Sequence, residues 1–137
     1  MYGMELLVGA KASLTKKITD ADVRKFSEVS LDTNPLHLDE EFAKTTIFGR
    51  RIAHGMISAG LISAVLANKL PGQGSIYLSQ ELKFTAPVFL NDTITAEVEI
   101  VEEGTKKEKG IYRLKTTVTN QEGKVVTTGF AVAMNKG

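Results

Sequence analysis

The chain of 137 residues contains no cysteine. That excludes disulfides, a thiolate nucleophile and thiolate metal ligands, and it fits a reducing cytosol. It also lacks any internal repeat, low-complexity tract or linker. No run of about 18 uninterrupted apolar residues is present, so no membrane span is expected. No cationic start leads into an apolar run, as a signal peptide would require. Neither sign of charge dominates: 17 basic side chains face 16 acidic ones, for a formal net charge of +1. Nucleic acid and acidic surfaces are therefore not expected as partners. What is present is 42% hydrophobic content, enough at this length for one domain with its own core. We expect a single cytoplasmic domain over residues 1–137.

Periodicity then separates two halves. Val8 to Ile18 alternates loosely and reads as an extended segment. Thr19 or Asp20 can cap a short helix through Ser27, with Val23 and Phe26 three apart on one face. Asp39 can cap another over Glu40 to Lys44. Gly55 to Leu70 reads as a helix closed by Pro71-Gly72. Its apolar residues, among them Met56, Ile57, Leu61, Ile62, Val65 and Leu66, fall on all sides, which predicts burial all round. At about 16 residues, or ~24 Å, it is too short to cross a bilayer comfortably.

The second half is strand-like. Ser75 to Pro87, Asp92 to Val101, Lys109 to Thr119 and Lys124 to Met134 are rich in Val, Ile, Thr, Tyr and Phe, with runs of period two. Asn91-Asp92, Glu103-Gly104 and Asn120 to Gly123 separate them as turns, and Glu102 to Lys109 reads as an exposed hairpin tip. The expectation is an α+β domain: an antiparallel meander of four long strands, with the early segment as a fifth, curved around one buried central helix.

The most informative stretch is Asp32-Thr33-Asn34-Pro35-Leu36-His37, followed by His54-Gly55-Met56. Fully extended, five steps would hold Asp32 and His37 up to ~17 Å apart. A regular helix would leave them roughly 140° apart around its axis. A sharp turn brings them together: Pro35 disfavours helical geometry at Asn34, and Asn-Pro is a turn-initiating pair. A carboxylate and an imidazole so placed can share a water and pass protons at neutral pH.

Asp32-x-Asn34-Pro35-Leu36-His37 resembles the signature of the MaoC-like, (R)-specific enoyl-CoA hydratases, the hydratase 2 group. His54-Gly55-Met56, Ser63, Gly74-Ser75-Ile76-Tyr77 and Phe84-x-x-Pro87-Val88 match in order and spacing, so the resemblance covers nearly the whole chain. Leu31 stands where a small or polar residue is more usual. The resemblance implies a hot-dog fold, a homodimer or higher homo-oligomer, and an acyl-CoA substrate without a cofactor. The implied reaction is reversible syn hydration of a trans-2-enoyl-CoA to the (R)-3-hydroxyacyl-CoA. It also implies Asp32 and His37 as the acid/base dyad, Asn34 as a further polar member and Ser63 as a supporting partner of Asp32. The Gly55 backbone N–H would donate to the thioester oxygen.

The chemistry needs these residue types. Hydration requires a base on water, an acid at Cα and donors to the developing enolate oxygen. A helix N-terminus offers unpaired N–H groups and a positive dipole end, and glycine there admits a close carbonyl. We favour Asp32 as base and His37 as acid, though the sequence alone is compatible with either order. His54 could position the helix start, be a core histidine or act directly. Ser63 could simply bond back to a carbonyl one turn earlier. A two-histidine, one-carboxylate metal set from Asp32, His37 and His54 is conceivable, but hydration of an enoyl thioester needs no metal and none is expected. Arg50-Arg51 could meet CoA phosphates but reads more simply as a solvated pair.

Three alternatives remain. A hot-dog acyl-CoA thioesterase would commonly carry a carboxylate or glutamine on or near the central helix, and Gly55 to Leu70 has none. A non-catalytic acyl-CoA-binding module would not keep the dyad. An acyl-carrier-protein-directed (R)-3-hydroxyacyl dehydratase would present the same pantetheine arm.

Overall fold

The computed structural model describes residues 6–104 and 109–136. Six strands and four helices follow one another: β1 (Lys11–Lys17), α1 (Asp20–Ser30), α2 (Pro35–Leu38), α3 (Glu40–Ala43), α4 (Gly55–Asn68), β2 (Ile76–Gln80), β3 (Lys83–Phe84), β4 (Thr93–Glu103), β5 (Ile111–Thr119) and β6 (Val125–Met134). The expected hairpin tip over residues 102–109 lies partly outside the described residues. Among the described residues no helix is long and apolar enough to cross a membrane.

Local chemistry accounts for the helix starts. Thr19 caps α1 in a reciprocal box: its hydroxyl accepts the Asp22 N–H at 3.2 Å, and the Asp22 carboxylate accepts the Thr19 N–H at 3.0 Å. Asp39 caps α3 by accepting the N–H groups of Glu41 and Phe42. Helix α1 runs three residues past the expected end and closes at Leu31, whose backbone is left-handed (φ 66°, ψ 10°). Leucine is an unusual C-terminal closure, because a β-carbon disfavours this conformation.

The strands form one open antiparallel sheet in the order β1-β4-β5-β6-β2, with β3 also paired to β6. Only β4, β5 and β6 make the expected meander. The long strand expected over Ser75 to Pro87 is instead two short ones, and it lies beside β6 rather than β4. The crossing explains the break. A β-carbon at Gly129 of β6 would collide with the Glu81 carbonyl, so glycine alone lets the chain pass there.

The core lies between this sheet and α4. Ile94, Ala96, Val98 and Ile100 on β4, and Leu114, Thr116 and Val118 on β5, are fully buried on one face, as period two requires. Register pairs them across the sheet, Val98 with Thr116 and Ile100 with Leu114. Opposite, α4 buries Ile62, Val65 and Leu66. Burying one such side chain contributes roughly 1.5–3 kcal/mol. On β6 the residues on this face are small: Thr127, Gly129, Ala131 and Ala133. Burial of α4 is not complete all round, however. Met56, Gly60 and Ala67 are exposed, and Ile57 and Leu61 only half-buried, because α1 and β2 leave one flank of the helix open. This is a hot-dog fold: a curved antiparallel sheet around a central helix.

Candidate active site

The segment joining α1 to α4 carries Asp32, Asn34, His37 and His54, and its turn forms as the Asn-Pro pair requires. Asn34 has φ −53° and ψ 125° and caps α2, accepting the Leu36 N–H at 3.0 Å; Pro35 occupies the first turn. One carboxylate oxygen of Asp32 accepts the Asn34 N–H at 3.2 Å. That bond orients the carboxylate and leaves its other oxygen available.

The turn does bring the dyad together. One oxygen of Asp32 and one nitrogen each of His37 and His54 all lie within 4.8 Å of one another. A water hydrogen-bonded at both ends near the tetrahedral angle spans ~4.6 Å, so the gap is water-sized. Asp32 is exposed, whereas His37 and His54 are buried.

Each histidine has a defined tautomer. His37 Nδ1 lies 2.8 Å from the Ile52 carbonyl; a carbonyl only accepts, so Nδ1 carries the proton and Nε2 is the exchanging atom. His54 Nε2 lies 3.0 Å from the Asp32 carbonyl and 3.1 Å from the Ser27 hydroxyl oxygen. It therefore donates as N–H, and the buried Nδ1 has no partner among the described residues. Burial holds the His54 pKa below its ordinary value, assisted by the neighbouring His37 and opposed by the Asp32 carbonyl. The two imidazoles stack with centroids 3.9 Å apart and planes 30° apart, and Phe26 packs on His54 at 4.8 Å.

Asp32, His37 and His54 each bring one potential ligand atom to this cluster, but the stacking sets the directions of the two imidazoles. Imidazole ligates through in-plane lone pairs at ~2.1 Å. An ion shared by two rings stacked face to face would sit between their planes instead, so this arrangement does not fit a metal centre.

Gly55 opens α4, where first-turn N–H groups have no intrahelical acceptor. It borders a cavity of about 400 Å³ lined also by Ile52, Met56, Phe84, Pro87 and Thr127. A β-carbon at 55 would approach the Phe84 ring to 2.8 Å, so glycine lets this ring pack against the start of α4. Ser63, by contrast, is not at Asp32. It lies half-buried two turns along α4, in a cavity with Met56, Tyr77, Gln80 and Leu82, and makes no hydrogen bond to Asp32 among the described residues.

Two residues differ from their expected roles. Arg51 is not a solvated cation: its side chain is 12% exposed, with Nε donating to the His37 carbonyl at 2.8 Å and Nη2 to Asp20 at 2.5 Å. Its neighbour Arg50 lies over the Phe89 ring at 3.7 Å. Ser27 was legible only as part of a helix, yet it is the polar residue in α1's buried stripe, four after Val23, and it meets His54. A serine breaking an apolar stripe is the signal that marks it.

Comparison with known proteins identifies the family. Residues 8–122 match the MaoC-like domain. The chain belongs to that family. It is 49% identical over 133 residues to an (R)-specific enoyl-CoA hydratase of Rhodospirillum rubrum, covering 97% of this chain and 90% of the relative. It is 48% identical over 132 residues to the (R)-specific enoyl-CoA hydratase of Aeromonas caviae, covering 96% and 97%. The solved structure of an (R)-hydratase from A. caviae involved in PHA biosynthesis superimposes with a TM-score of 0.89 at 47% identity, covering 96% of this chain and 98% of that one. The family's hot-dog fold is thus shared, and these relatives are hydro-lyases by name.

Proposed function

We propose that this protein is an (R)-specific enoyl-CoA hydratase, adding water reversibly across a trans-2-enoyl-CoA to give the (R)-3-hydroxyacyl-CoA. The observation that carries the reading is the convergence of Asp32 and His37 on a water-sized gap, in a chain nearly half identical to hydratases. The thioester carbonyl lies at the α4 N-terminus, where the Gly55 N–H and the helix dipole stabilise the enolate oxygen. Asp32 takes a proton from the water as its oxygen bonds Cβ. His37, holding Nδ1–H on Ile52, delivers a proton from Nε2 to Cα. Asp32 and His37 thereby exchange protonation states, and passage of the proton from Asp32 back to His37 resets the pair for the next turnover. Asn34 supports the dyad by shaping the turn. Ser63 supports the site from the acyl side, where it borders the cavity beside Met56 and Tyr77. Hydrolysis is disfavoured because α4 carries no carboxylate or glutamine to direct water at the carbonyl.

The same proposal includes one MaoC-like domain over residues 1–137, working in the cytoplasm, where acyl-CoA thioesters are held, as a homodimer. Support for the dimer is the outer edge of β2, which no strand covers among the described residues and where Ile76 and Leu78 are exposed; such edges pair with another strand unless blocked. Light scattering should give twice the chain mass.

Incubation with crotonyl-CoA tests the activity. A hydratase bleaches the ultraviolet absorbance of the conjugated enoyl thioester without releasing thiol, and the product is (R). Release of free thiol, or an (S) product, overturns the reading.

A further inference from the structure

Two hydrogen-bonded struts tie the dyad turn to α1, and neither contains a reacting atom. One runs from the Asp20 carboxylate through the Arg51 guanidinium to the His37 carbonyl. The other runs from the Ser27 hydroxyl through His54 Nε2 to the Asp32 carbonyl. Their anchors share one face of α1, because seven residues are two turns with only ~20° of drift. The struts end on the first and last residues of the turn, the two that bear the dyad side chains. Arg51 and His54 flank Ile52, whose carbonyl sets the His37 tautomer. The Ile52 N–H also donates to the Leu36 carbonyl at 3.4 Å, so the segment 51–54 grips the turn at four points.

We propose that Arg51 and His54 are positioning residues for the reaction, bracing the 32–37 turn against α1 so that the carboxylate and the imidazole keep their water-sized separation. The role rests on the hydratase reading and deepens it. Arg51 suits it chemically: a planar guanidinium spans a carbonyl and a carboxylate with fixed geometry, whereas a lysine ammonium is a single point charge on a flexible stem. An ion pair contributing only to the surface would matter little, since exposed pairs are worth about 0–1 kcal/mol. This one instead reaches the backbone of a reacting residue, with the arginine largely withdrawn from water.

Arg51→Met, Arg51→Lys, Asp20→Asn and the Asp20→Asn/Arg51→Met double variant test the first strut. On crotonyl-CoA, Arg51→Met should lower kcat roughly 10- to 100-fold, as misplacement by about 1 Å does, with KM within about threefold of wild type. Guanidinium ion added at millimolar levels should restore part of the rate in Arg51→Met. Arg51→Lys should restore only a minor part. The double variant should be no slower than Arg51→Met alone, because both changes cut one strut. Wild-type kcat in Arg51→Met, a purely KM effect, or additive losses in the double variant overturn the proposal.

A readout without substrate separates this from failure of the hydratase reading itself. The His37 Nδ1–H proton, held on Ile52, should give a slowly exchanging low-field NMR signal in the wild type that broadens in Arg51→Met. If Arg51→Met does not fold, the same signal in Arg51→Lys and Asp20→Asn decides. An unchanged signal in all folded variants refutes the brace even if hydration is absent, and a broadened one supports it.

Discussion

Asp32→Asn separates the chemistry of the turn from its architecture. Asp32 is exposed; its side-chain oxygen accepts the Asn34 N–H, its backbone carbonyl accepts from His54, and its backbone N–H donates to the Ser30 hydroxyl. Asparagine keeps a side-chain oxygen there and leaves the backbone unchanged. Its stability should therefore stay within about 0.5 kcal/mol of wild type, the usual range for surface changes. The base, however, is gone, since an amide does not take a proton from water at neutral pH. General acid–base catalysis contributes 10²–10⁴-fold, or ~2.7–5.5 kcal/mol of barrier. Hydration of crotonyl-CoA, followed by ultraviolet absorbance, should fall by about 10² or more in kcat with KM little changed. Thermal unfolding in parallel should superimpose on wild type. Turnover like wild type would remove Asp32 from the mechanism. A loss of activity with an equally large loss of stability would instead assign Asp32 to the turn.

Two further outcomes follow from the same region. His54 is held neutral by burial, so its contribution to stability is complete above the unfolded value of 6.5 and is lost as pH falls through its lower folded pKa. His54→Gln, whose amide can donate in place of Nε2–H, should flatten the acid limb of denaturation midpoints below pH 6.5; an unchanged slope refutes the assignment. Leu31 is 84% exposed in a left-handed conformation, which costs a β-carbon roughly 1–2 kcal/mol. After glycine's entropy penalty of about 0.5–1 kcal/mol, Leu31→Gly should stabilise by ~0.5–1 kcal/mol in chemical denaturation, and destabilisation would contradict this.

Most of the architecture was legible where the signal is local. The Thr19 and Asp39 caps, the apolar run of α4 and the alternation from Thr93 to Ile100 all appear as read, because each depends on neighbours a few residues away. Strand order was not legible. Nothing between Ser75 and Pro87 says that this segment will skip β4 and join β6, since that placement comes from the crossover through α4. The break between β2 and β3 depends on Gly129, more than 40 residues later. At the site, the Asp32–His37 pairing was legible because a six-residue turn sets it. The burial of Arg51 was not, because its partner Asp20 lies 31 residues earlier on another element. Ser63 shows the same limit: its place on α4 was correct, but that placement sets it two turns from Gly55, facing Tyr77 and Gln80 rather than Asp32.

The small residues facing α4 along β6 have a consequence for how such a protein can change. Thr127 reaches the cavity beside Gly55, while Ala131 and Ala133 lie fully buried in the core farther along the strand. The proton-transferring groups come from none of these strands. Under the proposed function, a larger or smaller side chain at Thr127 changes the room beside Gly55 and leaves the turn that carries Asp32 and His37 untouched. The shape of this cavity and the geometry of that turn can therefore change independently, one substitution at a time.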